Sequence, residues 1–296
     1  MKRNIIVGLG EALWDVLPEG RKIGGAPANF AYHASQFGNE GYAVSAVGND
    51  ELGDEIFDAF KQRNLGMILN RVDYPTGTVL VSINEKGVPT YEIKEGAAWD
   101  NIPFTEEMEA LARRTTAVCF GSLAQRSKVS RDTIRRYLDA MPEGDGVLKI
   151  FDINIRLHYY SKEVIEESLK RSNVLKINDE ELPIISEVLG YHEEDLQEKC
   201  RKIMGDYGLR YMIVTCGCEG SYVVSEDGFN FEPTPKVEVE DTVGAGDSFT
   251  AAFCAAILAG KSLVEAHRLA VEVSAYVCTC SGAMPELPKH LVDKIL

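Results

Sequence analysis

The chain has 296 residues, 45% hydrophobic and 26% charged, a balance that suits a large folded core and excludes a disordered or fibrous chain. Its 31 lysines plus arginines face 46 aspartates plus glutamates, and the formal net charge of −15 excludes a basic footprint for nucleic acid and disfavours an anionic membrane surface. Seven scattered cysteines read as free thiols of a reducing cytoplasm, and the pairs Cys216/Cys218 and Cys278/Cys280 lack the spacing of zinc knuckles.

The apolar run after Arg3 ends by Gly10, too short for a secretion signal, and predicts a buried parallel strand over 4–10. A helix follows from Ala26, closed by Gly38, then a strand over Tyr42–Gly48 and an amphipathic helix from Leu52 to Arg63. Residues 77–94 break the rhythm: two extended runs around Glu85-Lys86-Gly87 predict a hairpin. Strands are then expected at 117–120, 147–153, 173–177, 211–216 and 221–224, with helices at 130–140, 161–171, 179–189 and 193–207. The last third is helical, Ser248–Ala259 and Leu263–Thr279. Strands alternating with helices imply a mostly parallel sheet covered on both faces. The hairpin is then an inserted lid.

The sharpest local signal is Asp241-Thr-Val-Gly-Ala-Gly-Asp247, opening an Ala-rich helix. Gly244 and Gly246 let consecutive amides converge at the positive helix end, which makes an anion hole, and Asp247 beside them is either a proton acceptor or a plain helix cap. Asn178 and Glu181 have the spacing of a capping box. Thr215-Cys-Gly217-Cys-Glu-Gly220 reads as a two-glycine turn after a strand. Glu11 and Asp15 stand at the carboxyl end of the first strand, where open α/β sheets bind ligands. Gly8-x-Gly10 is not a dinucleotide fingerprint, because Leu13 replaces the third glycine and both carboxylates would repel a pyrophosphate. They suit neutral hydroxyls instead, since Asp15 can accept two hydrogen bonds from a diol. Gly24-Gly25-Ala-Pro-Ala-Asn29 puts two glycines before a helix and an amide in its first turn, and Asp152-Ile-Asn154-Ile-Arg156 ends another strand. Arg156 reads equally as a ligand clamp or a surface ion pair.

In order along nearly the whole chain, these segments resemble the ribokinase-type, or PfkB-type, carbohydrate kinases. The resemblance implies an α/β, ribokinase-like three-layer fold with a mostly parallel central sheet and a small β lid. One domain over 1–296 is expected, with lid excursions at approximately 11–25 and 73–101. It implies Asp247 as catalytic base, the Gly244-Ala245-Gly246 amides around the transferring phosphoryl group, and Arg156 as a clamp on sugar or phosphate. Glu11, Asp15, Gly25, Asn29, Tyr91 and Asn154 would contact sugar. Asn178, Thr215, Gly217, Gly220 and Gly282 would contact ATP. Asn178 and Glu181 would organise Mg2+ indirectly, and Asp241 with the backbone of Val243 would neighbour a monovalent cation such as K+.

Within the family the chain is most similar to fructokinases, by Gly-Gly-Ala-Pro-Ala-Asn, Thr76-Gly77, Ala97-Ala-Trp-Asp100 and Phe120-Gly-Ser-Leu-Ala-Gln-Arg126. It departs from ribokinases at Val243, often Thr there, and at Cys278-Thr-Cys280. Alternatives are a kinase for ribose or 2-keto-3-deoxygluconate, and a sugar-binding regulator without catalysis. The partners implied are a small sugar and ATP, with no nucleic acid and no membrane. Tyr91, Ile93 and Trp99 would face the ligand or pack in a lid-to-lid homodimer.

Overall fold

The computed structural model describes residues 3–18, 20–83 and 89–295, with backbone alone at 81–83 and 89–91. The chain opens with β1 (Ile5–Leu9), buried at every position as a central parallel strand must be. It then leaves the main sheet for β2 (Leu13–Leu17) and β3 (Gly20–Gly24). The alternation resumes with α1 (Ala26–Gln36), β4 (Glu40–Gly48), α2 (Glu51–Gln62) and β5 (Gly66–Val72). A second departure forms β6 (Gly77–Ile83) and β7 (Pro89–Ile93), an antiparallel pair whose turn lies outside the described residues. Next come α3 (Glu106–Ala112), β8 (Ala117–Phe120), α4 (Lys128–Ala140), β9 (Leu148–Asp152), α5 (Lys162–Leu169) and β10 (Val174–Asn178). They are followed by α6 (Glu181–Leu189), α7 (Leu196–Tyr207), β11 (Tyr211–Thr215), β12 (Gly220–Ser225) and β13 (Gly228–Pro233). Helices α8 (Ala245–Leu258), α9 (Leu263–Val277) and α10 (Lys289–Val292) close the chain.

Nine strands form one sheet in the order β13-β12-β11-β10-β9-β8-β1-β4-β5, parallel from β5 to β11 and antiparallel only at the β12–β13 edge. Side chains alternate across it, as the period of a strand requires. Val118, Phe120, Phe151, Leu175 and Ile177 point into the core shared with α3 to α7. Ala117, Cys119, Leu148, Ile150 and Val174 point to the opposite face, which α1, α8 and α9 cover. The same alternation turns Asp152 and Lys176 toward the α8 face, and it does so at the carboxyl end of the sheet.

The two departures meet in a second sheet, ordered β3-β2-β6-β7. Leu13 pairs with Gly77 in parallel, so segments distant in sequence build one surface. Ile93 and Trp99, expected to face a ligand or a second lid, are core residues at 7% and 1% exposure. The indole packs against Gly77 through Nε1 and Cδ1, and the Arg126 guanidinium carbon lies over the ring, 4.1 Å from its centroid. The Tyr91 side chain lies outside the described residues.

Candidate active site

Two helix starts converge over the carboxyl edge of the sheet. Helix α1 begins after Gly25, at φ 112°, where a side chain would collide with the carbonyl oxygen of Glu11. Pro27 in its first turn needs no N–H partner. Helix α8 begins after Gly244, at φ 80°, where a Cβ would come within 2.7 Å of the Ala283 carbonyl oxygen. Close packing of α1 on α8 sets the two first turns side by side. There the Asn29 side-chain amide donates to Asp247 Oδ2 at 2.7 Å. Gly244, Ala245 and Gly246 therefore open α8 beside Asp247, and none of their side chains blocks the amides of the first turn.

Asp247 sits deep among protein atoms but keeps part of its surface open. Burial and then the nearby Asp152 carboxylate push it up to about 7, against the pull of the Asn29 amide, Lys176 and Arg156. Glu11 is buried, and burial raises it also, with its own backbone amide and Arg156 acting in the opposite sense. Half-buried Asp15 is raised to about 6 by burial, against Arg156. Two oxygens here, Glu11 Oε2 and Asn29 Oδ1, are buried and unpartnered. Native proteins satisfy nearly all such atoms, so these two stand out as acceptors without a partner among the described residues.

Asn154 and Leu157 carry positive φ values of 42° and 51°, a strained turn that ends β9. Arg156 between them is exposed, and its Nη1 donates to the Ile155 carbonyl at 3.1 Å. Among the described residues it has no carboxylate within ion-pair distance, so the surface ion-pair alternative finds no support there. Its charge acts instead on Glu11, Asp15 and Asp247.

Asn178 and Glu181 make the reciprocal bonds expected of a capping box, Asn178 Oδ1 accepting from Glu181 N at 2.7 Å and Glu181 Oε2 from Asn178 N at 3.0 Å, but α6 begins only at Glu181, so Glu180 and not Asn178 is its N-cap. Glu181 Oε1 also accepts from Ile155 N at 2.7 Å, tying α6 to the Arg156 turn. An oxygen-only pair suits magnesium, but both Glu181 oxygens already hold amides, which fits action through water. Thr215, Gly217 and Gly220 lie on the β11–β12 turn, where Cys216 N donates to Gly220 O at 2.9 Å. Asp241 Oδ1 accepts from Val243 N at 3.0 Å, and Oδ2 accepts from Gly282 N at 3.1 Å and Lys22 Nζ at 3.3 Å. With that carboxylate taken, a monovalent cation would depend on backbone oxygens such as those of Asp241 and Val243. Among the described residues, no three His, Cys, Asp or Glu side chains gather as metal ligands.

A model of the pfkB family carbohydrate kinases matches residues 19–290. The chain belongs to that family. This carbohydrate kinase is 29% identical over 273 residues to an ATP-dependent 6-phosphofructokinase of Thermoanaerobacterium thermosaccharolyticum, covering 90% of this chain and 82% of that one. It is also 29% identical over 300 residues to a fructokinase of Salmonella typhimurium, covering 95% of each. A fructokinase with bound ATP from Xylella fastidiosa has TM-score 0.83 at 22% identity, over 99% of this chain and 98% of that one. The ribokinase-like α/β fold is therefore shared, and membership makes this an ATP-dependent carbohydrate kinase.

Two basic residues near this site received no role in the motif reading, although Arg126 ends one of the segments quoted there. Lys176 Nζ contacts Asp152 Oδ1 at 3.1 Å, both side chains nearly buried. Arg126 is held between Trp99 and Tyr159, with Nε 2.8 Å from Asp100 Oδ1 and Nη1 unpartnered. A usable signal existed for Lys176: a lysine inside the apolar strand Val-Leu-Lys-Ile-Asn is a buried charge that needs a partner.

Proposed function

We propose that this kinase transfers the γ-phosphoryl group of ATP to D-fructose, giving fructose 6-phosphate and ADP. The carrying observation is the single carboxylate shared by both halves of the cleft: Asp247 opens α8 beside the glycine amides and bonds Asn29 from the sugar-side motif. In this reading Asp247 takes the proton as the sugar oxygen attacks the γ-phosphorus and the bridging oxygen leaves with ADP. A base raised to about 7 is half ionised near neutrality, the range in which proton transfer is most efficient. The Gly244–Gly246 amides would hold the equatorial oxygens, where phosphoryl transfer needs electrostatic support most. Asn178 and Glu181 would organise magnesium indirectly, and the ion would supply neutralisation of phosphate charge.

The unpartnered oxygens of Glu11 and Asn29, with Asp15, are acceptors suited to a polyhydroxyl ligand. Fructose is favoured by the fructokinases among the relatives and by the Gly-Gly-Ala-Pro-Ala-Asn segment. ADP release should be measured on fructose, ribose, 2-keto-3-deoxygluconate, fructose 6-phosphate and aminoimidazole riboside. The highest kcat/KM is expected on fructose, with product phosphate on the 6-hydroxyl. A higher value on another compound would replace the substrate and leave the kinase chemistry standing; no turnover on any would argue for a binding role.

A further inference from the structure

Lys176 and Asp152 are paired across β10 and β9 in the sheet register and meet at the end of the sheet beneath the start of α8. A Cβ built on Gly246 would lie 3.0 Å from Lys176 Nζ, so the ammonium rests beside the last residue of the glycine nest. Gly246, expected to supply backbone freedom, is not among the positive-φ glycines and lies inside α8, so it serves space here; of the two, Gly244 carries the special backbone conformation. An ammonium has three donors, and Asp152 Oδ1 is its one side-chain partner among the described residues. Burying such a pair is costly, and apolar residues of similar size commonly do as well for stability. Fold stability is therefore a poor reason for a cation at this point.

We propose that Lys176, anchored by Asp152, is a positioning residue that adds a full positive charge behind the otherwise neutral amide nest and so favours the transferring phosphoryl group. The inference rests on the kinase reading above. A nest of amides offers partial charges only, whereas phosphoryl transfer gathers negative charge on three equatorial oxygens in a site with little water. A fixed ammonium costs no reorganisation when that charge develops. The 3.1 Å contact between Lys176 Nζ and Asp152 Oδ1, with both side chains nearly buried, is the pairing that a buried ammonium needs.

The same pair acts on Asp247 in opposite directions, which makes the test specific. The groups bearing on Asp247 are Asn29 from α1, Asp152 from β9, Lys176 from β10 and Arg156 from the turn after β9; Cys119 of β8 also feels its charge. Asp152 disfavours the ionised base and Lys176 favours it. Lys176→Met should cut kcat by roughly 100-fold, the scale on which preorganised charge around a transition state acts, and should move the acid limb of the pH profile upward because Asp152 is left unopposed. Lys176→Met/Asp152→Asn removes both charges. The acid limb should then return toward the parental position while kcat stays at least about 30-fold low, since the cation is still missing.

Both variants and the parent are to be assayed on the best sugar of the panel, with thermal melts to confirm folding. If the single variant does not fold, the neutral double variant decides. A double variant with kcat within about threefold of the parent overturns the inference, because Lys176 would then only balance Asp152. A parent without sugar turnover overturns the kinase reading, and this inference with it.

Discussion

The Asn29 amide and the Asp247 carboxylate, 2.7 Å apart, join the first turns of α1 and α8 in one hydrogen bond. That bond lowers the pKa of Asp247, against the larger effects of burial and Asp152. Asn29→Ala should therefore move the acid limb of kcat/KM from near 7 to higher pH, and raise the KM for sugar. The pH profile checks it. A limb at unchanged pH would mean that Asp247 is not the group being titrated.

Asp247→Asn should lower kcat by about 100-fold or more while leaving the KM for ATP within a few-fold, as loss of a general base does. Stability should change in the opposite direction. The folded pKa of about 7 lies above the unfolded value of 3.8, so the folded state holds the proton more tightly. Its contribution is fully present below about pH 4 and is lost as pH rises through about 7. The asparagine variant should therefore melt higher than the parent at about pH 8 and nearly with it at about pH 4. Melting curves at the two pH values suffice.

Much of this fold could be read from local pattern, because β1, β4, β8, β9 and β10 are apolar runs that only a covered parallel sheet explains. The glycine motifs at Gly25 and Gly244 were legible for a similar reason: each marks a backbone position that few other residues can adopt. What escaped depends on distant partners. β2 and β3 carry Asp15, Arg21 and Lys22 and become strands by pairing with each other and with β6. Lys176 and Asp152 acquire their meaning from facing each other under Gly246, and Arg126 from the Trp99 and Tyr159 rings that enclose it. Spacing along one chain does not carry those contacts.

Gly244→Ala should damage both fold and chemistry. Its φ of 80° strains any side chain, and the new Cβ would press within 2.7 Å of the Ala283 carbonyl. A cost of roughly 1–3 kcal/mol follows from such backbone strain. The melting point should fall by several degrees, and kcat should drop more than the KM for sugar rises. A fully active variant with a parental melting point would remove the nest from the mechanism.

Arg156→Ala separates function from stability cleanly. The guanidinium is exposed and has no acidic partner among the described residues within ion-pair distance, so the fold should lose no more than about 0.5 kcal/mol. Its charge nonetheless favours the ionised forms of Glu11, Asp15 and Asp247. Turnover should fall by about 10-fold or more, with the acid limb displaced upward. Equal kcat/KM in parent and variant at about pH 6 and about pH 8 would reduce Arg156 to a surface residue.

Glu11→Gln tests whether a buried, unsatisfied carboxylate is kept for a ligand. Glu11 Oε2 has no partner among the described residues, and burial holds its pKa above the usual range. By the same linkage, its ionised form destabilises the fold as pH rises through that elevated pKa. The glutamine keeps the shape and removes the charge, so the free variant should melt at or above the parent at about pH 8. Binding should move the other way: a hydroxyl donating to a carboxylate is worth about 1.5–3 kcal/mol, which predicts a sugar KM higher by about 10-fold or more. The sugar-induced rise in melting point should shrink with it, a readout independent of turnover. A variant that loses stability without sugar and keeps its KM would instead place Glu11 among the groups that hold the β1–β2 turn together.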